Sequence, residues 1–159
     1  MRNYFKRYLL MNPGLRGLIE WSVMLGSGIV GLLVSVPRLP GSPARLFIGL
    51  ALFAGGLTFH ILSERDHREA HRRAKVISAV VDTGMYGKIR HPLYAGLIIS
   101  NLGIGLAFGV YWTLGLAVLF SVLYLVTVVE EEKYLLESLG DEYAAYKERV
   151  RWRMIPGIF

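Results

Sequence analysis

Long apolar runs alternate with polar, mostly basic segments along the chain. The first run covers residues 18–36, with Glu20 near its start, and the second covers residues 46–62, with His60 near its end. Residues 93–129 contain no charged side chain. As one helix, at about 1.5 Å per residue, they would reach roughly 55 Å, nearly twice the ~30 Å hydrocarbon core of a bilayer. The pattern therefore predicts two spans folded as a hairpin. The turn is expected in FGVYW, residues 108–112, where Gly109 bends the chain and Tyr111 and Trp112 suit the headgroup region. Small residues recur inside the runs: Gly26, Ser27, Gly28 and Gly31, then Gly49, Gly55 and Gly56, then Gly105 and Gly109. They predict close helix packing in lipid. Between the runs, residues 37–45 read as a short Pro/Gly loop. Residues 63–76 read as a polar extension of the second helix, and VDTGMYGKIR, residues 81–90, as a turn-rich approach to the third span. The tail, from residue 136, reads as a short helix stopped at Gly140, a second helix with Tyr143 and Tyr146, and an amphipathic end. The expected fold is all-α: a membrane bundle of about four transmembrane helices with a C-terminal helical cytosolic tail.

Composition agrees. Hydrophobic residues make up 53% of 159 and the mean hydropathy is +0.43, too apolar for an ordinary soluble domain. The length suits one domain, residues 1–159. Cysteine is absent, which excludes disulfide and thiolate chemistry. The N-terminal segment is basic but broken at Asn12-Pro13-Gly14, and the run behind it is too long for a signal sequence, so a retained helix is expected. The net charge of +6 is unevenly placed. Arg38 and Arg45 lie between spans 1 and 2, and the hairpin turn holds no basic residue. The other sixteen lysines and arginines precede span 1, separate spans 2 and 3, or follow span 4. The positive-inside rule then predicts both termini and the middle loop in the cytoplasm. Nothing suggests base readout, so nucleic acid is not an expected partner.

Candidate chemistry gathers at the cytoplasmic side. His67 and His71 have metal-ligand spacing, but the surrounding arginines repel a cation and a solvated helix is the better reading. No metal is expected. His60, an ionisable group within a span, is a functional candidate by default, though tolerable so near the interface. Arg90, His91 and Pro92 stand at the mouth of span 3. Pro92 suits a helix's first turn, and the free N–H groups, dipole and guanidinium together suit an anion. Glu130, Glu131 and Glu132 follow span 4, at the unfavourable pole of its dipole. A hairpin brings these two ends together. They could hold a zwitterionic ligand, or form a salt bridge.

DTGMYGKIRHPLYAG, the apolar hairpin, then EEEKYLLESLGDEYAAYKERV and IPG resemble the isoprenylcysteine carboxyl methyltransferase and phospholipid methyltransferase superfamily of membrane enzymes. The match covers about residues 80–157, the cofactor half. The resemblance implies S-adenosylmethionine as cofactor. The RHPxY motif falls on Arg90, His91, Pro92 and Tyr94, with Gly96 as its small residue, and the EExxL motif on Glu131, Glu132 and Leu135. By charge, Glu131 or Glu132 would hold the ammonium, while Arg90, His91 and the helix N-terminus would favour the carboxylate. Tyr94 would line the adenosine or methyl channel, and Tyr146 joins the cofactor set. Family members often carry an arginine just before the acidic run. Here that stretch is LVTVV, so the acceptor-facing catalytic role passes to Arg149 or Arg90.

The expected activity is methyl transfer to a lipophilic or prenylated acceptor, an isoprenylcysteine-type carboxylate by the family name, at a lipid-exposed site. The chain has fewer spans than many family members, so a homo-oligomer could complete the lipid-facing wall. Two rival readings are a membrane NADPH-dependent reductase of similar fold and a non-catalytic membrane scaffold.

Overall fold

The computed structural model describes residues 2–74 and 80–159. Six α-helices follow one another: α1 (Arg2–Leu9), α2 (Pro13–Leu33), α3 (Pro43–Ala74), α4 (Pro92–Phe108), α5 (Tyr111–Leu139) and α6 (Asp141–Arg149), with a 3-10 turn at Gly84–Gly87. No strand occurs among the described residues, only an isolated bridge between Arg38 and Val110. Among the described residues, three helices are long and apolar enough to cross a membrane: Pro13–Leu33, Pro43–Arg68 and Tyr111–Leu139. The fourth, α4, has 17 residues, the short limit for a span of about 17–25. Leu18, Ile29, Phe47, Leu119 and Val122 point outward from these helices, as lipid contact requires.

The boundaries have local causes. The Asn12 side chain accepts the Leu15 N–H at 3.1 Å, and Pro13 supplies the first turn of α2. Gly109 ends α4 in the left-handed conformation, φ 65°, with its N–H on the Gly105 carbonyl. Val110 then starts α5, so the hairpin turns within residues 108–112 as the sequence predicts. The Leu39 N–H donates to the Gly109 carbonyl at 2.8 Å, tying the loop after α2 to this turn. The second span runs on as one helix through Ala74, which matches the expected polar extension as far as the described residues reach. The tail differs in one respect. The expected short helix before Gly140 is continuous with α5, because nothing between Val129 and Leu139 breaks it.

Antiparallel α3 and α4 meet at backbone distance. A Cβ at Gly103 would lie 2.4 Å from the Phe53 amide nitrogen, and one at Gly96 would lie 2.7 Å from that of His60. On the other side, α2 crosses α4 and α5 through a buried polar cluster. Arg16 Nε meets Glu20 Oε1 at 2.8 Å, and Arg16 Nη1 donates to Thr127 Oγ1 at 2.7 Å. Tyr8 Oη donates to Glu20 at 2.6 Å, and Asn101 Nδ2 at 3.3 Å. The Arg16 guanidinium lies over the Tyr124 ring at 4.2 Å. Burial, together with Glu20, pushes the Tyr8 phenol up to about 12. Glu20 thus faces the other helices of the bundle. Through Tyr8, this cluster fixes α1 and the elbow at Leu10–Gly14.

Candidate active site

The elbow matters because it walls a cavity of about 840 Å³, within the ~300–1,000 Å³ common for small-molecule sites. The other walls come from α3 (His60, Glu64, His67, Arg68), the start of α4 (His91, Leu93, Tyr94), the end of α5 (Glu131, Tyr134, Leu135) and α6 (Tyr143, Tyr146). Of the residues expected from sequence, Arg90, His91, Tyr94, Glu131, Leu135 and Tyr146 line it. Pro92, Gly96, Glu132 and Arg149 do not.

Pro92 is buried as the first residue of α4, and it sets the helix start. Gly96 belongs to the α3–α4 seam, where any side chain would collide with the His60 backbone. Arg149 is largely exposed and pairs with Asp82 at 2.5 Å, which ties α6 to the approach segment. These three therefore lie outside the cavity lining, in the packing and ion pairs around it.

The adjacent acids part company because α5 turns them to different faces. Glu132 is buried and collects cations: Arg90 Nε at 2.7 Å, Arg153 Nε at 3.0 Å, His91 Nε2 at 3.3 Å and Lys147 Nζ at 3.9 Å. Glu131 turns into the cavity. Its Oε2 is buried without a hydrogen-bond partner, and His91 Nδ1 stands 3.8 Å away. Such an orphaned carboxylate oxygen is costly unless something answers it.

Arg90 stitches the site together. Its Nη1 donates to the carbonyls of Val150 at 2.6 Å and Arg151 at 2.7 Å. Its backbone N–H donates to Trp152, and that of His91 to Arg153. The tail thus straps the α4 entrance to the end of α5. The salt-bridge reading of this region holds for Glu132. Arg90 Nη2 alone has no protein acceptor among the described residues, and Arg90 still lines the cavity. The Asp66 carboxylate accepts the Met85 N–H at 2.9 Å, holding the 3-10 turn on α3.

Tyr146 Oη donates to the Tyr86 carbonyl at 2.8 Å. Burial pushes the Tyr143 and Tyr146 phenols up, so both stay protonated at neutral pH and neither serves as a base there. Sequence reasoning missed Glu64, Tyr86 and Tyr143 as wall residues, and the elbow altogether, because α1 carries no motif. His67 lines the cavity; the side chain of His71, at metal-ligand spacing from it in sequence, lies outside the described residues.

The arrangement is suited to a mixed-charge ligand: one carboxylate oxygen without a hydrogen bond, one guanidinium amino group and a helix N-terminus, enclosed by aromatic and aliphatic walls. The phospholipid methyltransferase family model matches residues 44–142, more than half of the chain. Curated relatives agree. Protein-S-isoprenylcysteine O-methyltransferase of Schizosaccharomyces pombe is 33% identical over 88 residues, covering 53% of this chain and 36% of the relative. Those of Rattus norvegicus and Homo sapiens are 28% identical over 114 and 113 residues, covering 64% and 63% of this chain and 34% and 33% of theirs. The chain spans about a third of the length of the curated relatives it matches. With its helices of membrane length, the chain is an integral, multi-pass membrane protein and belongs to the phospholipid methyltransferase family.

Proposed function

We propose that this chain is a membrane methyltransferase that takes S-adenosylmethionine from the cytosol and methylates a lipophilic acceptor arriving from the bilayer. The observation that carries the reading is Glu131. It presents a buried, unpartnered carboxylate oxygen in a cavity beside the N-terminus of α4.

The residues present fit the cofactor. Glu131 would receive its ammonium. Arg90 Nη2 and the α4 N-terminus would receive its carboxylate. Tyr94, Leu135 and Leu139 offer aromatic and aliphatic surface for the rest. When bound, S-adenosylmethionine supplies an electrophilic methyl on a sulfonium with a neutral leaving group. The protein's task is then alignment and exclusion of water. Arg90 and Glu132 fix the strap over the site, and the elbow at Leu10–Gly14 closes the opposite wall. The printed names of the relatives point to a prenylated cysteine carboxylate as acceptor. A carboxylate needs no base, whereas an amine does. Both termini are cytoplasmic, which the placement of the basic residues supports.

The test is equilibrium binding of labelled S-adenosylmethionine and of labelled NADPH to the purified protein in detergent. Saturable binding of the former alone is expected. Binding of NADPH alone would favour a reductase, and binding of neither would favour a scaffold.

A further inference from the structure

The tail after α6 divides its side chains. Val150 and Met154 are buried, Met154 in the core cluster with Ile89, Tyr94 and Tyr124, and Arg153 pairs with Glu132. Three apolar residues of the same short segment stay open: Trp152 is 39% exposed, Ile155 49% and Ile158 79%. Ile155 and Ile158 sit on an ordered turn, with Trp152 just before it. The N–H groups of Met154 and Ile155 both donate to the Phe159 carbonyl at 3.0 Å, and Gly157 takes a left-handed φ of 84°. The Arg153 guanidinium lies over the Phe159 ring at 5.0 Å. A group of apolar side chains held open by its own hydrogen-bonded turn marks a contact surface. Beside it the Arg151 side chain is exposed and forms no ion pair among the described residues. Lys88, two residues before Arg90, is exposed too.

Two helices give the depth of this surface. With 17 residues, α4 rises only about 25 Å, so its start lies at the edge of a hydrocarbon core ~30 Å thick. The tail is bonded to that start: the Trp152 and Arg153 carbonyls accept the N–H groups of Arg90 and His91 at 2.9 and 2.8 Å. On α5, Glu132, the partner of Arg153, stands roughly 31 Å along the helix from Tyr111, again one core thickness from the hairpin turn. Both measures put the tail in the headgroup layer. There tryptophan and aliphatic side chains reach acyl chains, while arginine and lysine reach phosphate. The exposed acid Glu137 lies about 8 Å farther out along α5. Three open apolar side chains are also few beside the about 800 Å² that each partner buries in a stable protein interface.

We propose that Arg151, Trp152, Ile155 and Ile158 form a docking surface for the bilayer at the α4 entrance, with an anionic phospholipid headgroup on Arg151 and acyl chains against Trp152 and the two isoleucines. The same contact bears on the cavity wall. Arg90 Nη1 donates to the carbonyls of Val150 at 2.6 Å and Arg151 at 2.7 Å, so lipid that holds the tail in place also holds the acceptors that orient Arg90. The proposal is independent of what the cavity binds.

The chain has no cysteine, so a nitroxide on a single introduced cysteine reports one position. Ile158→Cys is labelled in the full chain in phosphatidylcholine nanodiscs. Leu119→Cys, exposed within the span, and Ser138→Cys, exposed beyond Glu132, serve as references. Collisions with oxygen, which concentrates among acyl chains, and with a water-soluble nickel chelate are measured for each. The Ile158→Cys label should collide mainly with oxygen, as the Leu119→Cys label does, and the Ser138→Cys label mainly with nickel. A nickel-dominated Ile158→Cys label would put the tail in water. A label shielded from both reagents would put it against protein or a second copy of the chain. Either result overturns the proposal. Phosphatidylglycerol added to the nanodiscs should raise the immobilised fraction of the Ile158→Cys label. Arg151→Gln keeps the backbone carbonyl that Arg90 uses and removes the charge. It should weaken the tail's apparent affinity for phosphatidylglycerol by about fivefold. An equal response to phosphatidylglycerol with and without Arg151→Gln also overturns the proposal.

Discussion

Arg90 reaches Glu132 and two tail carbonyls at once, and both charged side chains are almost wholly buried. Removing one partner of such a pair strands the other, at a cost of about 3–5 kcal/mol. Glu132→Gln should therefore lower the thermal unfolding midpoint in detergent by several degrees. An unchanged midpoint would show that the strap is dispensable. Glu131→Gln should leave the midpoint where it is, because Oε2 has no hydrogen-bond partner to lose. The charge pattern made both acids candidates for the ligand, and it could not separate them. Their division depends on where the tail places Arg153 and Lys147, a contact across more than ten residues of sequence. Arg90, His91, Tyr94, Glu131 and Leu135 were legible as a group because the two motifs mark the facing ends of one hairpin. His60 was legible only as an ionisable group inside a span. Its bond to Leu93, 33 residues away, has no sequence signal.

The hairpin was readable because an uncharged run of that length has one physical solution, and Gly109 offers the φ its turn adopts. The seam between α3 and α4 was less readable. Glycines were expected to mediate packing in general, but which ones touch depends on helix register. Gly103 and Gly96 meet backbone, whereas Gly26 and Gly55 face open space. Gly103→Val should thus force the helices apart and reduce the yield of monodisperse protein in detergent several-fold. Gly55→Ala should match wild type, apart from any gain in helix propensity of up to about 1 kcal/mol. Equal yields from both variants on size-exclusion chromatography would contradict the seam. Gly96 shows the same distinction in a motif residue: its small size serves the seam, which in turn positions His60 against Leu93.

For the whole molecule, a membrane bundle follows from hydropathy and is matched by helices long enough to span. The α1–α2 elbow was not foreseen, since its anchor is the buried Arg16–Glu20 pair and not a motif. Sixteen of the eighteen lysines and arginines fall on the side of the termini and middle loop. Protease added to sealed inside-out vesicles should therefore remove tags from both ends; protection of either end would refute this topology. The most direct test of the central claim, that the cavity holds S-adenosylmethionine through Glu131, is calorimetric titration of wild type and Glu131→Gln. Loss of a charge-assisted hydrogen bond of about 1.5–3 kcal/mol predicts an affinity at least about tenfold weaker, with the unfolding midpoint unchanged. A Glu131→Gln protein that binds the cofactor as tightly as wild type would contradict the account.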